Sequence, residues 1–552
     1  MKRRKYTRDH VAWNLLTVVS FASFAFFFLF PLFRLIVGAI WTGNGFNLEP
    51  FKRFFATKYY MQAVANSFKV STVTTLIAIC TGTTFAMIMR YFKIKGKKVV
   101  DILLLVSTIT PPFLGGYSWI LLFGRVGWVT TWLKNTFGII FPGIYGFWGI
   151  VFTFVCHSTM TMYMYISGAL KNVDATLNEA AASLGCFGIR RIIKIIIPLI
   201  LPTVLSTALL TFMHCFADYG TCALIGEGYN VMGTLIYTAF LGEVSRDATL
   251  ASAMASITLI FTSCLFMVQR WLASRRVVEM NALHPIEQKK PKGIVAILSH
   301  FYIYLMTTLA VCPIFVVAYN SFQKASGFLF LPGYSLDSYR TAIKRLGDAI
   351  QRTYAYGLIA IVLIVVIAVI ISYANVRHSS SITKTADTLT MFPLVVPGTV
   401  LGIAMVLAFN GAPFYLNGTA ALVISVWVIR RLPYTIRSTT GVLHNISISV
   451  EEASQSLGAN PFRTFIRVTF PMLFSGVLPG ALLSFIASIT ELSSSLMVYN
   501  FKTVTMSIKI YTEICKGNFG VASAMSTILL LSAVVVLGVL FKVSKGNYEF
   551  TL

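Results

Sequence analysis

Long apolar stretches separated by short polar segments run through the whole chain. The hydrocarbon core of a bilayer is about 30 Å thick, so a helix that crosses it needs roughly 20 mainly apolar residues. The stretches near residues 112 and 400 contain prolines, and the stretch near 425 carries Arg430 and Arg431 at its far end. The pattern predicts an all-α polytopic membrane protein with about 12 transmembrane helices, centred near residues 25, 78, 112, 155, 210, 260, 306, 365, 400, 425, 483 and 532.

The chain also repeats itself. A charged, proline-containing stretch at 274–293 indicates a cytoplasmic linker, which separates two homologous six-helix halves at 1–273 and 294–552. The segments FADYG and ASITE occupy matching places in the two halves, so that Asp218 corresponds to Glu491. Because each half has an even number of spans, the halves are parallel repeats about an axis along the membrane normal, and such repeats enclose a pathway. A duplicated scaffold without a pathway is the alternative.

Composition and charge agree with a membrane protein. The 552 residues are 56% hydrophobic and 12% charged, with a mean hydropathy of +0.76. The net charge of +26 comes largely from basic clusters at the N-terminus, at residues 90–98, in the linker and in two loops described next. This is the positive-inside bias, and it predicts that both termini are cytoplasmic and that nucleic acid is no partner. The first apolar stretch is too long for a signal peptide and is expected to be retained.

One polar loop occurs twice, at 169–198 and at 442–471. The first copy reads ALKNVDATLNEAAASLGCFGIRRIIKIIIP and the second VLHNISISVEEASQSLGANPFRTFIRVTFP. Each copy predicts a short helix closed by a glycine, a second amphipathic helix at the cytoplasmic surface, and a proline that starts the next span. A polar, helix-forming segment duplicated in register indicates two attachment points for a two-fold partner.

The spacing within this loop resembles a known pattern. Glu-Ala-Ala, then Gly six residues after the Glu, then nine residues and an apolar-x-apolar-Pro is similar to the EAA loop of permease subunits in binding-protein-dependent ABC importers. The six-plus-six layout resembles the fused ferric-iron permease branch. Ser454 replaces the second alanine in the second copy. The matching residues are Glu179, Ala180, Ala181, Gly185 and Pro198 in the first copy, and Glu452, Ala453, Gly458 and Pro471 in the second.

The resemblance implies a type I importer permease fold in a bacterial cytoplasmic membrane. It implies that each loop forms a coupling helix that contacts one of two ABC ATPase subunits, and that an extracytoplasmic solute-binding protein delivers the solute. Ferric iron is the solute that the resemblance favours, since FADYGT and LIGEGY within 216–229 resemble the corresponding region of ferric-iron permeases. Aminoethylphosphonate, thiamine, phosphorylated sugars and polyamines are alternatives within the same class. An ion-coupled secondary transporter is the alternative of another class.

Catalytic and cofactor motifs are missing from the sequence. It contains no G-x-x-x-x-G-K-[ST] loop, no HExxH and no Ser/His/Asp arrangement, so ATP hydrolysis is assigned to separate partner subunits. The eight cysteines are scattered without CxxC spacing, and neither a metal site nor a cofactor is expected.

Ionisable residues inside spans are costly and are candidates for function. His214, Asp218 and Tyr219 lie near the end of the fifth span, and Glu491 lies at the matching place in the second half. We expect these four residues to line the pathway, with His214 one helical turn before Asp218 and able to pair with it. The alternative is that they cap broken helices or bond to neighbouring spans.

Overall fold

The computed structural model of the chain describes residues 8–42, 45–242, 247–275, 286–378 and 381–543. The basic N-terminal segment, the last nine residues and half of the predicted linker (276–285) lie outside the described residues, as do the chain ends whose cytoplasmic position the sequence predicts.

Helices make up nearly all of the regular structure. The helices of the first half are α1 (Arg8–Ile40), α2 (Glu49–Ala56), α3 (Lys58–Tyr91), α4 (Lys97–Thr108), α5 (Pro112–Phe123), α6 (Trp128–Phe137), α7 (Phe147–Lys171), α8 (Ala175–Ser183), α9 (Gly188–Arg191), α10 (Ile197–Ala217), α11 (Gly220–Ile225), α12 (Met232–Leu241) and α13 (Ala248–Arg275). Those of the second half are α14 (Gly293–Ser321), α15 (Asp337–Arg377), α16 (Ser381–Leu389), α17 (Gly398–Ala408), α18 (Ala420–Asn445), α19 (Ile448–Ser456), α20 (Pro461–Thr464), α21 (Phe470–Ile489), α22 (Ser495–Val498), α23 (Met506–Cys515) and α24 (Phe519–Val543).

The remaining regular elements are short. Two π-helical turns, Ile192–Ile196 and Phe465–Thr469, and a 3₁₀ turn, Phe392–Leu394, lie between helices. Three antiparallel two-stranded hairpins are formed by β1 (Trp41–Thr42) with β2 (Gly45–Phe46), β3 (Gln323–Ser326) with β4 (Leu329–Tyr334), and β5 (Asn410–Gly411) with β6 (Phe414–Tyr415).

Eleven of the twelve predicted spans are matched among the described residues, nine by single long apolar helices and two by bent helix pairs. The bends are 103° between α4 and the segment 112–137 and 111° between the segment 383–394 and α17. Pro112 stands in the first turn of α5, and Pro397 directly precedes α17. Proline lacks an N–H and restricts the residue before it, so the preceding helix ends there. The prolines near residues 112 and 400 therefore mark the two bends.

The predicted span near residue 425 corresponds to α18, whose 26 residues are long enough to cross the bilayer. Its arginines make it too polar to qualify as a span by composition. It nevertheless packs on α15 and α21 as α7 packs on α3 and α10, so it holds the place in the second half that α7 holds in the first. Contacts to its arginines, described below, reduce the cost of burying them.

The two halves exchange their first helices. The helix α1 packs on α15 and α17 of the second half as well as on α13, and α14 packs on α4 and α5 of the first half as well as on α24. The largest buried apolar cluster accordingly joins Phe24 and Phe28 of α1 to Val400 of α17 and Trp427 of α18. The apolar faces of both halves are thus buried against each other, which brings the ends of α10 and α21 to one interface.

Candidate functional sites: the repeated loops and the interface of the halves

The two repeated loops have the same structure residue for residue. The helices α8 and α19 each span nine residues and begin and end 273 positions apart. A side-chain oxygen caps each N-terminus: Asp174 accepts a hydrogen bond from the N–H of Thr176 at 2.8 Å, and Ser447 accepts one from the N–H of Ser449 at 3.3 Å. The duplication seen in the sequence is therefore a duplication of local structure.

Each short helix ends at a glycine with a left-handed backbone. Gly185 has φ of +72° and Gly458 has φ of +89°. The next amide bonds back into the helix, from Cys186 N to the Ala181 carbonyl at 2.8 Å in the first copy. A residue with a Cβ is disfavoured in this conformation, so glycine permits the reversal of the chain at this position.

The segment after the turn differs from its prediction. It was expected to form a separate surface helix, with a proline starting the next span. Instead α9, the first π-turn and α10 form one uninterrupted helical segment, and α20, the second π-turn and α21 do the same. In the π-turns an amide bonds five residues back, from Ile197 N to the Ile192 carbonyl and from Phe470 N to the Phe465 carbonyl. Because proline donates no such bond, a wider turn beside Pro198 and Pro471 lets the helix continue.

The outer face of each loop carries a carboxylate, a small residue and a large apolar residue. Glu179 and Ala180 are exposed in the first copy, as are Glu452 and Ala453 in the second. Leu184 and Leu457, which directly precede the two glycines, are 87% and 89% exposed. Neither leucine is among the residues that the sequence predicted to contact a partner, although their repetition before glycine in both copies was the available signal.

The position at which the two copies differ faces inward. Ala181 is only 3% exposed. Its counterpart Ser454 is half-buried, and its hydroxyl lies 3.1 Å from the Thr464 hydroxyl of α20. The serine therefore alters contacts within the loop and leaves the exposed face unchanged.

At the interface of the halves, Glu491 is buried against two guanidinium groups. Arg431 Nη2 contacts Glu491 Oε2, and Arg430 Nε lies 3.4 Å from the same oxygen. The other oxygen accepts hydrogen bonds from the N–H and the hydroxyl of Ser494, at 3.2 and 2.8 Å. Arg430 also donates to the carbonyl of Val396 at 3.2 Å. From the sequence these arginines were placed only at the far end of a predicted span and were not proposed as site residues, although a charged pair inside a span is itself a signal of function.

Asp218 has the same local role as Glu491 but different neighbours. Its Oδ1 accepts a hydrogen bond from the N–H of Thr221 at 2.8 Å, three residues ahead, as Glu491 does from Ser494. Both carboxylates thus cap the backbone where the fifth span of each half ends. At the positions of Arg430 and Arg431 the first half has His157 and Ser158, so the pseudo-symmetry does not extend to the partners.

A polar cavity of about 100 Å³ lies between the halves at this level. Asp218 and His214 line it from the first half, and Arg430, Ser493 and the segment 394–398 line it from the second. Among the described residues no hydrogen bond joins His214 to Asp218, so the pairing expected from their spacing is not seen. The two side chains instead share the wall of one cavity.

Tyr219 connects the halves directly. Its hydroxyl lies 2.8 Å from the hydroxyl of Tyr511 on α23, and its ring centroid lies 4.6 Å from that of Tyr237 on α12. A second bond across the interface runs from the Tyr117 hydroxyl to the carbonyl of Phe519 at 2.6 Å.

Within the described ranges, no group of three or more His, Cys, Asp or Glu side chains could hold a metal ion.

We expect Tyr219→Phe to lower the free energy of unfolding by about 1 kcal/mol, because one buried hydrogen bond between the halves is lost and the Tyr511 hydroxyl loses a partner. Thermal unfolding of the detergent-purified protein measures the effect. Tyr511→Phe should have a similar cost, and the double variant should cost less than the sum. Tyr415→Phe, at a tyrosine that is 71% exposed, is the control. Additive effects of the two interface variants would contradict the coupling.

The repeated loops, the doubled six-helix plan and the polar interface are features of a transport permease. The sequence profile of the family described as binding-protein-dependent transport system inner membrane component matches the chain twice, at residues 78–278 and 360–546. The chain belongs to this family and is a multi-pass inner-membrane protein.

Two of the relatives cover most of the chain, and a third covers less than half of it. The ferric transport system permease protein FbpB of Actinobacillus pleuropneumoniae is 27% identical over 516 residues, which is 92% of this chain and 74% of the relative. The putative ferric transport system permease protein FbpB 1 of Haemophilus influenzae is 28% identical over 501 residues, 89% of this chain and 78% of the relative. The putative 2-aminoethylphosphonate transport system permease protein PhnV of Salmonella typhimurium is 22% identical over 234 residues, 42% of this chain and 88% of the relative.

Proposed function

We propose that the protein is the fused permease subunit of an ATP-driven importer, and that its two repeated loops each bind one ATPase subunit. The observation that carries the proposal is the pair of equivalent exposed faces, formed by Glu179, Ala180 and Leu184 and by Glu452, Ala453 and Leu457. Large apolar side chains exposed at equivalent places of two loops are typical of a protein interface. One chain then recruits two ATPases without a second permease chain.

The orientation and the division into halves belong to the same proposal. The basic residues cluster at the loops, the N-terminus and the linker, which supports cytoplasmic loops and cytoplasmic termini. The proposed halves are residues 1–273 and 294–552, joined by a linker at 274–293. A solute-binding protein on the opposite face of the membrane delivers the solute, as the family description implies.

The proposed solute is ferric iron, since the ferric permeases of Actinobacillus and Haemophilus match this chain across both halves. In this proposal His214, Asp218, Tyr219 and Glu491 lie along the pathway. His214 and Asp218 line the polar cavity between the halves. Glu491 contacts Arg430 of the same cavity wall, and Tyr219 bonds across the interface of the halves. The match to a 2-aminoethylphosphonate permease covers less than half of the chain, so that solute is the second candidate.

The exposed leucines provide a prediction for the ATPase interface. We expect Leu184→Ser and Leu457→Ser each to weaken ATPase binding about tenfold or more, because burial of a leucine side chain contributes about 1.5–3 kcal/mol. The dissociation constant between the purified permease and the purified ATPase, measured for each variant, tests this. The thermal stability of the isolated permease should not change, since neither side chain is buried within it. Unchanged ATPase affinity in both variants would show that the leucines are not covered by the partner.

Reconstitution tests the whole proposal. The permease is placed in liposomes with its ATPase subunits, and ferric ion is supplied on the solute-binding protein. Uptake should require ATP on the ATPase side and both partner proteins. Gradient-driven uptake by the permease alone would favour an ion-coupled secondary transporter instead. Uptake of 2-aminoethylphosphonate but not of ferric ion would keep the importer class and change the solute.

A further inference from the structure

A buried ion pair joins the second repeated loop to the transmembrane helix α15. Arg377 is the last residue of α15, and its Nε lies 2.9 Å from Oε1 of Glu451 on α19. The Tyr373 hydroxyl donates to the other carboxylate oxygen at 3.0 Å, and Arg377 Nη2 donates to the carbonyl of Ile446 at 2.7 Å. Three contacts thus hold the cytoplasmic end of α15 to the loop.

These contacts are shielded from water. The side chains of Arg377 and Glu451 are 9% and 7% exposed. A buried ion pair is favourable only when its geometry is good and its remaining hydrogen-bonding groups are satisfied. Here Tyr373 and the Ile446 carbonyl supply those partners. The attachment is therefore stiff, because moving α19 away from α15 would leave both charges in a poorly solvated place.

The first loop has a different residue at the corresponding position. Asn178 stands 273 residues before Glu451, and its amide carries no charge to pair with a guanidinium. Arg90, in the last turn of α3 as Arg377 is in the last turn of α15, has its Nε and Nη2 buried with no hydrogen-bond partner among the described residues. The ion pair of the second half is thus specific to that half.

The end of α3 is held by the linker between the halves instead. The Lys289 N–H donates to the carbonyl of Tyr91 at 2.9 Å, and the Lys93 N–H donates to the carbonyl of Lys289 at 2.9 Å. The Gln288 side chain donates to the carbonyl of Met89 at 2.9 Å. The second spans of the two halves are therefore bound to different segments: α3 is bonded to the linker, and α15 is bonded to the second repeated loop.

We propose that Arg377, Tyr373 and Glu451 are positioning residues that make the two ATPase attachment sites mechanically unequal. The second loop moves as one body with α15, so displacement of its ATPase is passed directly to that span. The first loop lacks this ion pair and passes displacement mainly through the helix that follows it. The inference rests on the proposed coupling role of the loops.

Hydrogen–deuterium exchange of the purified permease tests the stiffness without any partner or solute. Backbone amides of α19 should exchange about tenfold or more slowly than those of α8. Glu451→Asn, which gives the second loop the residue of the first, should remove this difference. Tyr373→Phe removes one hydrogen bond while it keeps the ring, and should have a smaller effect in the same direction. Equal exchange of α8 and α19 in the unaltered protein, or no response to Glu451→Asn, would overturn the proposal.

The reconstituted importer tests the consequence for transport. In Glu451→Asn, ATPase binding should be retained, while the number of ATP molecules hydrolysed per ferric ion taken up should rise about fivefold or more. Glu287→Gln, which removes an exposed carboxylate from the linker, should leave this ratio unchanged. An unchanged ratio in Glu451→Asn would reject the mechanical role. Failure of either loop to bind ATPase would instead reject the proposed function, and the exchange result would be unaffected.

Discussion

A permease that carries both Glu179→Arg and Glu452→Arg should lose its ATPase subunits and all ATP-driven uptake while it keeps its fold. Both carboxylates are exposed on the proposed docking faces and take part in no ion pair among the described residues, so their replacement costs the isolated permease little. In the proposed complex, an arginine would stand where the partner receives a carboxylate, and like-charge or unpaired contacts at an interface cost several kcal/mol. Co-purification with tagged ATPase, followed by the uptake assay, measures the result.

The single variants separate the two sites. Each should retain one ATPase and lose most of the uptake, because the proposed function requires an ATPase at each loop. Glu287→Arg places the same charge change on an exposed residue of the linker and is the matched control. If both single variants and the double variant kept ATPase association and uptake, the repeated loops could not be the attachment sites.

The second large effect is expected at Glu491. Its replacement by Ala would leave Arg430 and Arg431 in the membrane interior without their carboxylate, and removal of one partner from a buried ion pair costs about 3–5 kcal/mol. Glu491→Ala should therefore lower the thermal stability of the purified protein strongly and reduce its yield in the membrane. Glu491→Gln should be intermediate, since an amide can still accept from Arg431 and Ser494.

An exposed ion pair provides the comparison for Glu491. Asp348 and Arg352 are joined at 3.1 Å on an exposed turn of α15, and the Asp348 side chain is 80% exposed. Such pairs contribute about 0–1 kcal/mol, so Asp348→Ala should change stability little. Equal stability of Glu491→Ala and Asp348→Ala would mean that the buried carboxylate does not compensate the two arginines.

The sequence leaves two roles open for the intramembrane carboxylates, lining of the pathway and local structural bonding. Asp218 and Glu491 cap the backbone at the ends of equivalent helices, as the structural alternative held, and Asp218 also lines the polar cavity between the halves. Capping and lining are therefore compatible at Asp218. The role of these residues in transport remains part of the proposed function.

Periodicity and repetition predicted most of the architecture. The apolar stretches predicted the spans, the prolines marked the two that bend, and the repeat predicted the equivalence of α8 with α19. The uninterrupted helices through Pro198 and Pro471 were not predicted. A proline in a helical pattern is compatible with a start, a stop or a widened turn, and only the hydrogen bonds of the neighbouring residues distinguish these.

The sequence by itself determined the class of protein, the two halves and the duplicated loops. Each span and each loop is one contiguous segment, and the hydrophobicity and helix preference of such a segment are local properties. Only the tertiary structure decided which buried charged and polar side chains meet. Arg431 and Glu491 are 60 residues apart, Arg377 and Glu451 are 74 apart, and Tyr219 and Tyr511 are 292 apart. Such partners are set by how helices of one half pack on each other and on the other half, and no local pattern specifies that packing. The two loops differ in sequence at Ser454 and at Glu451, and only the structure shows that Glu451 forms a buried ion pair with Arg377.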